Sequence, residues 1–248
     1  RRAVYSTHKE QVINRSQHKK MPPIFVDPRR KATDDWPSLI DLGLSFKWAS
    51  ANIGTNTPLE VGDYYAWGEL ETKDVYDYES YKFSGSNNGR DVYTKYVTMS
   101  SAGTVDHKNS LEPEDDVATQ KLGNHWRIPS ASDYEQTCRN TNQFATTNFL
   151  GTGIPGIVII STVPGYENQY FFIPASGRKS GTSLGEAEKP YITLASNYCG
   201  NCLYNTVVSG TVTFNNYSFQ TNGATQGFFM NMLVRYMGVP VRPIYEGD

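Results

Sequence analysis

Five short runs in the second half of the chain, GIVIIST, QYFFIPA, YITLAS, TVVSGTVTF and GVPVRPI, constrain the fold most. None exceeds nine residues, and Gly, Asn or Pro breaks the chain between them. β-branched and aromatic runs this short suit strands, and their close spacing favours an antiparallel, loop-rich sheet. Two stretches read as helices. LEPEDDVATQKLG has Pro113 near its first turn, acids at its positive end and Gly123 as a stop. WRIPSASDYEQTCRN offers Ser130 as N-cap with Asp133 three residues on. It also sets Tyr134, Thr137 and Cys138 at helical spacing, which turns Cys138 towards the core. Two short helices with such a sheet define an α+β domain.

Upstream, Leu42, Leu44, Phe46 and Trp48 alternate with Gly43, Ser45 and Lys47, predicting one strand with a buried face. VGDYYAWGELET adds an apolar cluster. Residues 71–110 turn polar, and SGSNNGRD marks them as a long surface excursion. Residues 1–38 are set apart as a basic, Pro-containing arm or linker, expected to dock through PIFV if at all, and residues 39–248 as the folded domain. Residues 1–31 carry nine Lys or Arg against two acids, which leaves fourteen basic and twenty-three acidic residues in the other 217. Most such basic runs are simply solvated, so no nucleic-acid partner is expected. No apolar run is long enough for a membrane span, and the N-terminus has no apolar signal core. Beginning at Arg1, the chain reads as processed or trimmed, which leaves its compartment open. Three cysteines, Cys138, Cys199 and Cys202, argue against a disulfide-stapled scaffold.

The stretch from Pro190 to Val234 contains no Asp, Glu, Lys, Arg or His, although Asp, Glu, Lys and Arg make up 19% of the chain. Within it, Val208, Gly210, Val212 and Phe214 alternate with Val207, Ser209, Thr211 and Thr213 as a strand with one buried and one wet face. Residues 197–205 and 215–232 hold too much Asn and Gly for a core strand and read as loops. Tyr198, Tyr204, Tyr217, Phe219, Phe228, Phe229, Met230 and Met232, interleaved with Asn and Gln, give these loops the mixture of stiff aromatics and adaptable amides found in recognition surfaces. The alternative, that Phe228, Phe229, Met230 and Leu233 pack beneath the loop as a small core, stays open.

Four blocks in order, DLGLSFKWASANIG, GDYYAWGELETK, LEPEDDVATQKLGNHWRIPS and RYMGVPVRPI, resemble the signature segments of the Fibrobacter succinogenes major paralogous domain of Bacteroidetes, over residues 40–244. The resemblance implies the C-type-lectin-like fold shared with the formylglycine-generating enzymes, with the chain ends together and long loops over one side of the sheet. The chain is similar also to the variable proteins of diversity-generating retroelements, whose hypervariable region closes on a comparable R…G…VRP strand. Here that region would be about 191–242. On this basis the chain is expected to be a non-enzymatic recognition protein at a bacterial cell surface or on a phage, binding a protein or glycan. The expected ligand contacts are Tyr198, Asn201, Tyr204, Asn205, Tyr217, Phe219, Asn222, Phe228, Asn231 and Tyr236.

Other chemistry is weaker. CGNC at 199–202 has the spacing of a redox pair or half a zinc site, but it lies amid Gly and Asn without a following helix or further ligands. A thiol enzyme of the formylglycine-generating type using Cys199 and Cys202 is one alternative function. A structural envelope or pilus subunit, with the neutral segment packed on a neighbour, is another. A Ser/His/Asp engine would have to use His107 or His125; Trp126 and Arg127 beside His125 read as structural. No cofactor is expected. Structural calcium is the one metal that Glu112, Glu114, Asp115 and Asp116, or Asp63 with Glu69, would suit as hard oxygen donors, although helix-start electrostatics explain the first cluster equally well.

Overall fold

Ser130 begins the longer helix as the capping box requires: its hydroxyl accepts from the Asp133 N–H, and the Asp133 carboxylate accepts from the Ser130 N–H at 2.7 Å. The resulting helix α2 (Ala131–Arg139) buries Tyr134 and Thr137, and Cys138 packs at the edge of the same core. The chain is described from a computed structural model covering residues 38–191, 195 and 233–247, with the backbone alone at 12–14, 17–18, 192–193, 208–213 and 229–232.

In chain order the strands before the helices are β1 (Val12–Asn14), β2 (Gln17–His18), β3 (Leu39–Ile40), β4 (Lys47–Ala49), β5 (Tyr64–Tyr65), β6 (Ser84–Asn87) and β7 (Arg90–Tyr93). Then come helix α1 (Val117–Leu122), β8 (Trp126–Arg127), α2, β9 (Thr141–Thr146), β10 (Gly156–Ser161), β11 (Tyr170–Pro174), β12 (Arg178–Ser180) and β13 (Ser183–Gly185). The last five are β14 (Tyr191–Thr193), β15 (Val208–Thr213), β16 (Phe229–Val234), β17 (Val239–Pro240) and β18 (Ile244–Tyr245). Every ladder between these strands is antiparallel, so the chain is α+β with two α-helices among the described residues.

Strand β10 lies between β11 and β9 and is buried along its whole length. Its apolar run follows from having both faces covered. Ile157 and Ile159 pack with Leu42, Phe46, Trp48, Phe171 and Ile173, while Val158 and Ile160 pack with Phe149 and Phe172. The Trp48 ring stacks on Phe171 at 5.0 Å and its indole N–H donates to Thr137 Oγ1 at 3.2 Å, which ties the sheet to α2. A second sheet has the order β3, β4, β18, β8, so the segment after residue 38 and the segment before residue 247 are neighbours.

Four expectations need correction. GVPVRPI is not one strand but β17 and the start of β18, with 241–243 outside any strand between them. The alternating run 42–48 is not one strand: residues 43–46 are bends, Gly43 takes φ 76°, and only 47–49 pair. The alternation survives as burial, with Leu42, Phe46 and Trp48 inside, because the bends still lie on the core. The LEPEDDVATQKLG helix is split into a 3-10 turn, Pro113–Asp115, and α1, because Asp116 turns extended (φ −92°, ψ 109°) to cap α1 with its side chain. Residues 229–232, read as loop, belong to β16. Among the described residues no helix is long and apolar enough to cross a membrane.

Candidate ligand-display surface

The chargeless stretch is held at both ends by charged side chains that lie outside it. At its start, Glu186 accepts from Arg178 Nε at 2.8 Å and also bonds the Lys189 ammonium and the Tyr191 hydroxyl. These donors, Arg178 foremost, hold the Glu186 carboxyl down at about 2. Tyr191 is buried, and its N–H donates to Ser176 Oγ at 3.1 Å. Strand β14 thus leaves a fixed point, pairs with β15, and β15 pairs with β16 from Val208↔Val234 to Thr213↔Phe229. Leu233 and Val239 close on Tyr191, and Arg178 also donates to Met237 Sδ at 2.9 Å. Glu186 and Met237, which flank the segment at its start and its exit, are therefore bonded to the same guanidinium.

Two buried arginines fix the exit. Arg235 lies 4.8 Å from the Trp67 ring centre and 5.0 Å from that of Tyr93, and donates to the carbonyls of Lys95 (3.1 Å) and Tyr96 (2.6 Å). Desolvated cation–π contacts of this kind are worth about 2 kcal/mol. Arg242 is 0% exposed and donates to Asn52 Oδ1 at 2.7 Å and to the carbonyls of Ala49, Ser50 and Phe172 at 3.2, 3.0 and 3.1 Å. Burial pulls its pKa down to about 9, so it remains charged at neutral pH. These are the arginines of the R…G…VRP pattern, and both work as internal struts.

Tyr93, Lys95 and Tyr96, three of these Arg235 partners, lie in residues 71–110, the segment read as a surface excursion. Much of it is exposed, as that reading requires, but it also holds an aromatic core: Tyr76, Tyr81, Phe83 and Tyr96 are buried with Ala66 and Trp67. Their hydroxyls are used internally, Tyr81 donating to the Trp67 carbonyl at 2.8 Å and Tyr76 to the Tyr64 carbonyl at 2.6 Å. The SGSNNGRD hairpin of β6 and β7 reaches solvent as expected, and so do residues 71–72, 74–75, 79–80 and 107–110. The signal missed in the sequence is the density of Tyr and Phe at 76, 78, 81, 83, 93 and 96 inside otherwise polar surroundings.

Of the ten expected contact residues, Tyr198, Asn201, Tyr204, Asn205, Tyr217, Phe219, Asn222 and Phe228 lie outside the described residues, as do Cys199 and Cys202. Asn231 lies in β16 opposite Thr211, not in a loop. Tyr236 is half-buried in the turn after β16, its ring edge-on to Tyr78 at 6.2 Å.

The acids meet cations already present in the chain. Glu112, Glu114 and Asp115 bring oxygens within 4.8 Å of one another. Asp115, however, is buried and bonded to Lys82 (2.5 Å), Lys95 (2.6 Å) and the Tyr96 hydroxyl (2.6 Å). Glu112 is paired with Lys95 and Lys108, chiefly the latter, which hold its carboxyl down at about 2. Asp116 caps α1 and accepts the Ile128 N–H. Glu69 pairs with Lys73 at 2.9 Å, while Asp63 accepts from the Tyr65 hydroxyl at 3.1 Å. Arg127 links Asp133 and Glu246, and Trp126 packs on Tyr245, so both are structural. His107 and His125 are exposed, and no Ser/His/Asp triad forms among the described residues. Cys138 is half-buried and burial raises its pKa to about 11, the reverse of an activated thiol.

No family model matches the chain, and neither curated proteins nor solved structures give a match.

Proposed function

We propose that the chain is a non-enzymatic recognition module of C-type-lectin-like type, presenting residues 197–237 to a protein or glycan from a bacterial cell surface or a phage particle. In this reading it is a variable protein of the kind diversity-generating retroelements produce. One observation carries the proposal: the chargeless segment enters at the Glu186 clamp on Tyr191 and leaves through the buried Arg235 and Arg242, all anchored in the rest of the domain. A scaffold that fixes both ends leaves the intervening residues free to differ without loss of the fold. Aromatic and amide side chains then supply the contacts, with Tyr as a stiff amphipathic anchor.

The test is a screen of immobilised glycans and bacterial surface proteins with the wild-type chain and a Tyr217→Ala, Phe219→Ala, Phe228→Ala triple variant. The expected ligand binds wild type, loses the triple variant, and changes affinity little between low and physiological salt, because none of the ten contact residues carries a charge. Binding that survives the triple variant, or collapses in modest salt, refutes the surface.

A further inference from the structure

We propose that a polar cleft beside β5 is a second binding site, for a neutral polyhydroxylated ligand such as a monosaccharide ring. The cleft has a volume of about 410 Å³ and is walled among the described residues by Asp63, Tyr64, Thr72, Asp74, Tyr76 and Lys179. None of these belongs to the 191–242 region, so the proposal stands apart from the display reading.

Charge and contact geometry select the ligand class. Lys179 holds its ammonium 4.9 Å from the Tyr64 ring centre and 5.6 Å from that of Tyr76, and no carboxylate pairs with it among the described residues. The second cation in the cleft, Lys73, is engaged by Glu69 at 2.9 Å and the Ser80 carbonyl at 3.1 Å. Both tyrosine hydroxyls are used internally, Tyr64 on the Ser176 carbonyl and Tyr76 on the Tyr64 carbonyl. The groups left to meet a ligand are one ammonium donor, the Asp74 carboxylate and the remaining acceptor capacity of Asp63, whose Oδ2 already accepts from the Tyr65 hydroxyl, and the Thr72 hydroxyl as either.

An anion entering the cleft meets two carboxylates, and a bare cation meets Lys179. An apolar ligand finds a polar wall whose tyrosine faces the lysine already covers. A neutral ring bearing several hydroxyls satisfies both sets: its oxygens accept from Lys179 while its hydroxyl hydrogens go to Asp63 and Asp74. The backbone holds Lys179 in place. Lys179 and Gly238 exchange two hydrogen bonds, at 2.8 and 3.0 Å, and the Tyr76 ring packs so close to Gly238 that a Cβ there would lie 2.5 Å from Tyr76 Cε1.

The experiment is an amide-resolved NMR titration of the whole chain with methyl glucoside, methyl galactoside, methyl mannoside and N-acetylglucosamine, and separately with glycine and inorganic phosphate. Expected are saturating shifts at Gly62, Thr72, Asp74 and Lys179 with at least one saccharide. Lys179→Met and the exposed Asp74→Asn should each weaken that response about tenfold, as loss of a hydrogen bond to a charged group implies, with the remaining spectrum intact. Absence of any saccharide response overturns the proposal. So does a response to glycine or phosphate alone, or a saccharide response that neither substitution alters. Because the readout sits on cleft amides, it is decided independently of the loop surface.

Discussion

Arg242→Met tests the strut that ends the display segment. The guanidinium makes four hydrogen bonds to oxygens of Asn52, Ala49, Ser50 and Phe172, joining the end of β4 and the residues after it, the link between β17 and β18, and β11. Methionine fills comparable volume but removes every donor, leaving buried acceptors unpaired. A hydrogen bond to a charged group contributes about 1.5–3 kcal/mol, and relief of the guanidinium's own desolvation offsets part of the summed loss. The expected net destabilisation is about 3–5 kcal/mol, the usual scale for breaking a buried charged contact. That is a large share of a typical stability of about 5–15 kcal/mol. For a domain of this size it lowers Tm by roughly 6–20 °C. Urea unfolding followed by tryptophan fluorescence should show an earlier midpoint at unchanged slope. Arg242→Lys, which keeps the charge but loses the planar fork, should fall between the two. Since no carboxylate pairs with Arg242 among the described residues, a methionine variant equal to or more stable than wild type would show that desolvation dominates, and would refute the strut.

Three further outcomes follow from the same geometry. Gly238→Ala drives a Cβ to 2.5 Å from Tyr76 Cε1, so it should cost about 1–3 kcal/mol by overpacking, read from urea midpoints. Glu186 has a folded pKa of about 2 against an ordinary value of 4.5, so the unfolded chain binds the proton first. Its stabilisation is complete above the ordinary value and lost as pH falls towards about 2, so Glu186→Gln should flatten the stability profile across that window; an unchanged profile removes the clamp. Cys138, raised from 9.0 to about 11, should have about a hundredfold less thiolate at pH 8 than an ordinary thiol. In a Cys199→Ser, Cys202→Ser variant it should alkylate correspondingly slowly, and rapid alkylation would contradict its burial.

Local signals were readable where local physics decides the structure. The Ser130–Asp133 capping box needs only four residues, and GIVIIST and QYFFIPA are strands because both faces of β10 and of β11 are apolar. The segment 111–123 shows where local reading fails, since Asp116 satisfies α1 and the Ile128 N–H at once, and the second bond comes from across the chain. Residues 229–232 read as loop because the stretch 215–232 is rich in Asn and Gly, yet β15 supplies the ladder that makes them strand. The aromatic core of 71–110 was hidden for the same reason, its rings being gathered by Trp67 and Arg235 rather than by any period. At the site, the R…G…VRP arginines stood out as a pattern, but their role as struts depends on carbonyls of residues 49, 50, 95, 96 and 172.

The most direct measurement randomises Tyr198, Asn201, Tyr204, Asn205, Tyr217, Phe219 and Asn222 together, displays the library, and counts the fraction of clones that resist protease as wild type does. With the segment carried by its anchors, most clones should stay folded, polar replacements included. Survival restricted to clones that keep large apolar residues at these positions would show that they form core, and would contradict the account.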